Sequence, residues 1–119
     1  MKPDETDKLE NDTSSLIGRL SSLGPLSNSG RAGILIVLLG LKRATFTDIL
    51  VAVKTSKSSL STSLSILERS GYVRTEYGFF RRGGPRTIIV ITKEGEEAII
   101  EYLNIMGKIT QIAFDKNMK

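Results

Sequence analysis

The sequence contains no cysteine and no histidine among its 119 residues. Without cysteine the chain can form no disulfide and perform no thiol redox chemistry. Because histidine is absent as well, zinc sites of the usual Cys/His kind are also excluded. The lack of histidine also removes Ser-His-Asp catalysis and imidazole-based pH switching. Most enzyme chemistry is therefore excluded, and we expect a protein that is not an enzyme and that needs no metal or other cofactor.

Two local features that could suggest catalysis do not support it. Glu96 and Glu97 are neighbours on a predicted helix, so their side chains diverge by about 100° and cannot share one site. The glycine pair Gly83-Gly84 lacks the G-x-x-x-x-G-K-[ST] spacing of a phosphate-binding loop. Neither feature indicates an active site.

Long apolar runs are also missing. The longest, at residues 33–41, has nine residues, whereas a membrane-spanning helix needs about 20. Residues 1–12 are polar and acidic, unlike a secretory signal. We therefore expect a cytoplasmic protein that does not bind a membrane.

Charge is distributed unevenly along the chain. The net charge is +4, but residues 13–93 carry twelve Lys and Arg against three acids, giving +9, whereas residues 1–12 carry −3 and residues 94–119 carry −2. A basic middle favours a polyanionic partner such as nucleic acid. Charge alone leaves open the alternative of an ordinary solvated surface.

Helical periodicity and capping residues predict a mainly helical domain with one small β-hairpin. We expect residues 1–8 to be a disordered tail and residues 9–119 to form a single domain, because this length suits one domain. The expected elements are helices at 9–23, 28–41, 46–53, 56–70 and 93–116 and strands at 72–77 and 87–92, with Ser27, Thr45 and Thr92 as N-caps.

The serine-rich segment at residues 56–70 is the most informative part of the sequence. Its composition could indicate a flexible linker, but Leu60, Leu64 and Leu67 have the i, i+4, i+7 spacing of one helical stripe. At about 100° per residue the small hydroxyl side chains fall on the opposite face. The pattern therefore predicts a helix that buries leucine and presents serine and threonine outward.

The order of elements is that of a winged helix-turn-helix, in which two helices joined by a tight turn precede a β-hairpin. Three stretches resemble the MarR/ArsR-like winged-helix transcriptional regulators, especially small archaeal ones: Leu26-Ser27-Asn28-Ser29-Gly30-Arg31, then Leu60-x-x-x-Leu64-x-x-Leu67-Glu68-x-x-Gly71-Tyr72-Val73, then Thr87…Ile91-Thr92-x-x-Gly95. The resemblance covers residues 26–103. It implies a double-stranded DNA-binding regulator whose DNA-binding core is residues 26–92.

The chain departs from this family at two points. Relatives often have a glycine near Ser58, where this chain has Ser58-Ser59, so its recognition surface is expected to differ. The Cys/His ligands of the metal-sensing ArsR relatives are absent, so metal sensing does not carry over.

The predicted DNA-binding residues lie on the serine-rich helix and in the hairpin loop, or wing, at residues 78–86. Small hydroxyls allow close approach to base edges in the major groove, and arginine suits phosphate oxygens and the narrow minor groove. An ordinary solvated face remains the alternative for the hydroxyls. The candidates are Lys57, Ser58, Ser61, Thr62, Ser65, Arg81, Arg82 and Arg86, with Lys54 and Arg31 as weaker phosphate contacts.

The two terminal helices, at residues 9–23 and 93–116, are predicted to form a homodimer. The last helix is longer than a small core can cover, so part of its apolar face is expected to meet another chain. Packing on the first helix of the same chain is the competing interpretation, and we expect both kinds of contact. The residues assigned to this interface are Leu16, Leu20, Ile99, Tyr102, Met106, Ile109 and Ala113.

Two other functions remain open from the sequence. The same fold can serve as a protein-interaction module without strong DNA binding. Single-stranded nucleic acid or RNA binding would need exposed aromatic platforms, and the chain has three Tyr and four Phe, mostly at predicted core positions. No group of polar residues marks a pocket for a small-molecule effector.

Overall fold

The computed structural model describes the backbone of residues 3–80 and 84–118 and the side chains of residues 12–78 and 86–116. The prediction of a mainly helical fold with a β-hairpin is confirmed. The three strands form one antiparallel sheet in the order β1-β3-β2. The elements are α1 (Pro3–Ser22), a 3-10 turn (Gly24–Ser27), α2 (Ser29–Leu41), β1 (Arg43–Thr45), α3 (Phe46–Val53), α4 (Lys57–Arg69), β2 (Val73–Phe80), β3 (Gly84–Ile91) and α5 (Lys93–Met118).

The core forms where α2, α3 and α4 meet the inner face of the sheet and the first half of α5. Each of these elements contributes fully buried apolar side chains to the core. Burial of this apolar surface therefore stabilises the elements as one packed unit. The largest side chains of this core are Leu26, Leu35, Leu38, Ile49, Leu60, Leu67, Ile89 and Ile99.

Local capping fixes the start of α2 and α3. The Thr45 hydroxyl accepts a hydrogen bond from the Asp48 N–H at 3.1 Å, as predicted. The prediction for α2 is wrong by one residue: Asn28 is the N-cap and accepts from the Arg31 N–H at 3.1 Å, because Ser27 ends the preceding 3-10 turn. Each cap satisfies a backbone donor that the helix itself leaves free.

The first helix begins earlier than predicted. It starts at Pro3 instead of Leu9, and residues 1 and 2 lie outside the described residues. Proline suits the first helical position, because the N–H that it lacks is one that the helix leaves free there.

The sheet contains a strand that the sequence did not predict. Strand β1 has three residues, too few for an alternating pattern, and pairs with β3 in the register Arg43↔Val90 and Ala44↔Ile89. The hairpin pairs from Val73↔Ile91 to Phe80↔Gly84. The strands therefore extend into the predicted loop, whose residues 81–83 lie outside the described residues.

The turn that follows α4 is anchored to the start of α5. Gly71 has a φ of +79°, a left-handed conformation that favours glycine. The Thr92 N–H donates to the Tyr72 carbonyl oxygen at 3.0 Å. A Cβ added to Gly95 would lie 2.1 Å from that same oxygen, so the first turn of α5 sits directly against the turn that ends α4.

Candidate nucleic-acid interface

The leucine stripe of α4 faces inward, as the sequence predicts. Leu60 and Leu67 are fully buried and Leu64 is 7% exposed. Ser56 caps the helix, and its hydroxyl accepts a hydrogen bond from the Ser59 N–H at 3.1 Å. Burial of the stripe fixes the rotation of α4 about its axis, because serine is only a moderate helix former and cannot hold the helix by itself.

The opposite face of α4 is solvent-exposed and carries the predicted hydroxyl residues. The exposed side chains on or beside this face are Ser58, Ser61, Thr62, Ser65 and Arg69, whereas the exposed Lys57 lies in line with the leucines, three residues before Leu60. The hydroxyl side chains are short, so the backbone of α4 can come close to whatever it contacts. The face can donate and accept hydrogen bonds through its hydroxyls.

Two lysines lie at the amino-terminal end of α4. Lys54 ends α3 in a left-handed conformation with a φ of +51°, and its N–H donates to the Leu50 carbonyl oxygen at 3.1 Å. Lys54 and Lys57 are both exposed, on either side of the cap residue Ser56. The end of the helix dipole there is positive, so the backbone and both side chains favour an anion.

The hairpin carries one described candidate cation. Arg86 is exposed and pairs with Gly78 across the hairpin. Arg81 and Arg82 lie outside the described residues. Tyr77, next to Gly78, is 83% exposed, so the described part of the hairpin presents an aromatic ring as well as a guanidinium group.

Arg31, a weaker candidate, has a structural partner. Its Nε donates to the Pro25 carbonyl oxygen at 2.7 Å, and the side chain is half-buried. This bond joins the 3-10 turn to the first turn of α2. Arg31 therefore contributes to packing in the protein, whatever its role toward an anion.

The sheet brings together an arginine pair that the sequence did not predict. Arg43 and Arg74 both bind Glu76, with Nη2–Oε2 and Nη2–Oε1 distances of 3.0 and 3.1 Å. Both arginines sit beside Val90 in the register, on opposite sides of β3. The cluster keeps a net charge of +1 on the outer face of the sheet. Finding it required the pairing of β1, which has no local pattern.

The residues assigned to a dimer interface fall into two groups. Leu16 and Ile99 are 6% and 0% exposed, so they belong to the interior of the protomer, where α1 and α5 pack, and they are not available to a second chain. Leu20, Tyr102 and Ile109 are half-buried, and Met106 and Ala113 are exposed. An ion pair between Arg19 and Glu101 further joins α1 to α5.

The described part of the chain offers neither a metal-binding cluster nor a membrane-spanning helix. No group of three or more Asp or Glu residues there could hold a metal ion. No helix among the described residues combines the length and hydropathy of a membrane span.

A helix that follows a tight turn, exposes a polar face and precedes a β-hairpin defines a winged helix-turn-helix protein. Residues 31–110 match the family model described as Winged helix DNA-binding domain, and the chain belongs to this family. A comparison with curated proteins gives no match.

The solved structures that the protein resembles include several transcriptional regulators. A transcriptional regulator homologue from Pyrococcus horikoshii OT3 superposes with a TM-score of 0.74 at 28% identity, over 82% of this chain and 95% of that one. MepR, a regulator of the Staphylococcus aureus multidrug efflux pump MepA, has a TM-score of 0.68 at 15% identity, and the match covers 98% of this chain and 84% of MepR. A MarR-family regulator from Silicibacter pomeroyi has a TM-score of 0.57 at 17% identity, and the match covers 93% of this chain and 70% of that regulator. The predicted resemblance to MarR-like regulators is confirmed.

Proposed function

We propose that the protein is a homodimeric transcriptional regulator that binds double-stranded DNA, with α4 in the major groove and the hairpin as a wing on the flanking backbone or minor groove. The observation that carries this proposal is the rotation of α4. Its buried leucines aim the hydroxyl row outward on the helix that follows the turn. In winged-helix proteins the helix at this position is the one that reads DNA.

The dimensions and chemistry of α4 suit a major groove. The groove is about 12 Å wide, and an α-helix with its side chains has a diameter of about 10–12 Å. Ser58, Ser61 and Thr62 add little width, so base edges come within hydrogen-bond distance. A hydroxyl is both donor and acceptor and therefore distinguishes bases weakly. We accordingly expect semi-specific binding, with part of the selectivity coming from DNA shape.

Phosphate contacts are proposed at two places. Lys54 and Lys57 stand at the positive end of α4, where a phosphate oxygen is favoured by charge and by free backbone N–H groups. Arg86 lies on the wing, and Arg81 and Arg82 precede it in the sequence. These contacts supply affinity and orientation without sequence information.

The homodimer is supported by the shape of the chain. The radius of gyration is 18.0 Å, whereas a compact domain of this length has a value of about 13.5 Å. Helix α5 has 26 residues and continues beyond the core, with apolar side chains exposed along it. Two-fold pairing through the terminal helices would cover this surface and present two copies of α4 to two half-sites about 34 Å apart.

A binding titration with three nucleic acids tests the proposal. Duplex DNA, single-stranded DNA and RNA of one sequence are titrated at about 0.05 and 0.2 M salt, and duplex is expected to bind most tightly and to lose affinity steeply as salt rises. Equal or tighter binding of a single strand would contradict it. Absence of duplex binding at about 0.1 M salt would instead favour a protein-interaction module.

A further inference from the structure

A second apolar stripe lies on α5, one residue away from the stripe that packs inside the protomer. Ile100, Leu103 and Phe114 are 46%, 40% and 57% exposed, and Gly107 and Thr110 between them are also exposed. These five positions follow alternating spacings of three and four residues, so they form one line along the helix. Nothing in the described part of the protomer covers this line.

The stripe is poor in charge for a solvated helix face. Residues 98–114 contain two charged residues, Glu101 and Lys108. Both lie about 100° or more from the middle of the stripe, Glu101 in the ion pair with Arg19 of α1. A helix face that stays in water normally carries charged residues. The exposed stripe of α5 therefore has the composition of a contact surface.

Gly107 lies at the centre of the stripe, at a position where the protomer leaves room for a side chain. A Cβ built at Gly107 meets no atom within 4 Å, so packing inside the chain does not require glycine there. Glycine is among the poorest residues for a helix interior. Its absent side chain does allow another backbone to approach closely, which is what a helix crossing at this point requires.

The exposed area of the chain matches what a homodimer buries. The chain exposes 7903 Å², whereas a compact monomer of 13.1 kDa exposes about 6400 Å². The excess of about 1500 Å² lies in the range of about 1000–2500 Å² that each subunit of an obligate homodimer buries. A second copy of this chain is thus the occupant that fits the area.

We propose that the α5 helices of two copies cross antiparallel at Gly107, with a two-fold axis beside that residue. Ile100 and Phe114 lie seven residues to either side of Gly107, so the axis brings Ile100 of one copy against Phe114 of the other. This proposal rests on the homodimer of the proposed function and adds its geometry. The crossing also sets the distance between the DNA-binding parts.

The antiparallel arrangement separates the two α4–α5 junctions by a distance of the same order as one turn of DNA. Each α4 is fixed to the first turn of α5 through Thr92 and Gly71. The start of α5 lies 14 residues from Gly107, or about 21 Å, so the two junctions are about 42 Å apart along the helices. The centres of DNA half-sites one turn apart are separated by about 34–36 Å. The distance between the two junctions is of the same order.

Single-cysteine cross-linking tests the crossing, and the chain has no native cysteine to interfere. A disulfide needs two Cα atoms about 4.4–6.8 Å apart. Under mild oxidation Gly107→Cys is expected to shift most of the protein from 13.1 kDa to a dimer band of about twice that mass. Ile100→Cys and Phe114→Cys alone are expected to stay monomeric on the gel, because each lies about 10 Å from the axis. A mixture of these two variants is expected to cross-link.

The matched control is Lys108→Cys, which is exposed on the same helix but points away from the stripe. It is expected to give little dimer band. The mixture of Ile100→Cys and Phe114→Cys tests the register without altering Gly107. Self-cross-linking of Ile100→Cys would indicate a parallel pair and overturn the proposal. A chain that is dimeric by light scattering but gives no Gly107→Cys dimer overturns the crossing and leaves the homodimer intact. A monomeric chain overturns both.

Discussion

The Thr92 hydroxyl donates a hydrogen bond of 2.6 Å to the Gly71 carbonyl oxygen and accepts one of 3.0 Å from the Gly95 N–H. Thr92 caps α5, and Gly71 belongs to the turn that ends α4. One side chain therefore fixes the start of the long helix to the end of the helix proposed to read DNA. We therefore expect a rotation of α5 to move α4 through this contact.

Removing the Thr92 hydroxyl is expected to destabilise the fold. Thr92→Val keeps the side-chain shape but loses the cap and the bond to Gly71, so the free energy of unfolding should fall by about 1–2 kcal/mol. Urea denaturation measures this change. Thr47→Val, on the exposed side of α3, should change stability by less than about 0.5 kcal/mol. Equal effects of the two substitutions would argue against the proposed role of Thr92.

Alanine is expected to have opposite effects at two glycines. A Cβ at Gly95 would come within 2.1 Å of a backbone oxygen, whereas a Cβ at Gly33 in α2 meets no atom within 4 Å. Gly95→Ala should lower the melting temperature and reduce the free energy of unfolding by about 2 kcal/mol or more. Gly33→Ala should raise the melting temperature and increase the free energy of unfolding by about 0.4–1 kcal/mol, because glycine is costly inside a helix. A stable Gly95→Ala protein would contradict the close approach of α5 to the turn.

The lysines at the end of α4 are expected to contribute to the salt dependence of DNA binding. Each of Lys54→Ala and Lys57→Ala should reduce the slope of log K against log[salt] by about 1, because each removes one phosphate contact. Lys116→Ala, exposed near the end of α5, should leave the slope unchanged. Fluorescence anisotropy at four or five salt concentrations gives the slopes. A slope that responds equally to Lys116→Ala would indicate non-specific attraction by the whole chain.

The sequence predicted elements whose determinants are local. Helix α3 spans the expected residues, and Thr45 caps its start. The rotation of α4 about its axis follows from the spacing of Leu60, Leu64 and Leu67. Strand β1 was missed because three residues carry no period and their partner, β3, lies more than 40 residues away. That pairing is also what places Arg43 beside Glu76.

The interface residues of α5 were harder to predict for a different reason. The sequence of α5 contains two apolar lines one residue apart, one through Ile99 and Tyr102 and one through Ile100 and Leu103. Both have helical spacing, so the pattern does not say which one the protomer covers. The packing of α1 decides it, since Ile99 is buried and Ile100 is exposed. For the DNA-binding face such ambiguity does not arise, because α4 has one apolar line.

The most direct measurement of the central claim is the duplex-DNA affinity of a Ser61→Glu variant compared with Ser14→Glu. Both serines are exposed, one on the outward face of α4 and the other on α1. If α4 lies in the major groove, a carboxylate at position 61 faces phosphates and base edges, and the affinity should fall about 100-fold, or about 3 kcal/mol. The Ser14→Glu variant should stay within about twofold of the unaltered protein. Equal affinities for both variants would contradict the placement of α4 on DNA.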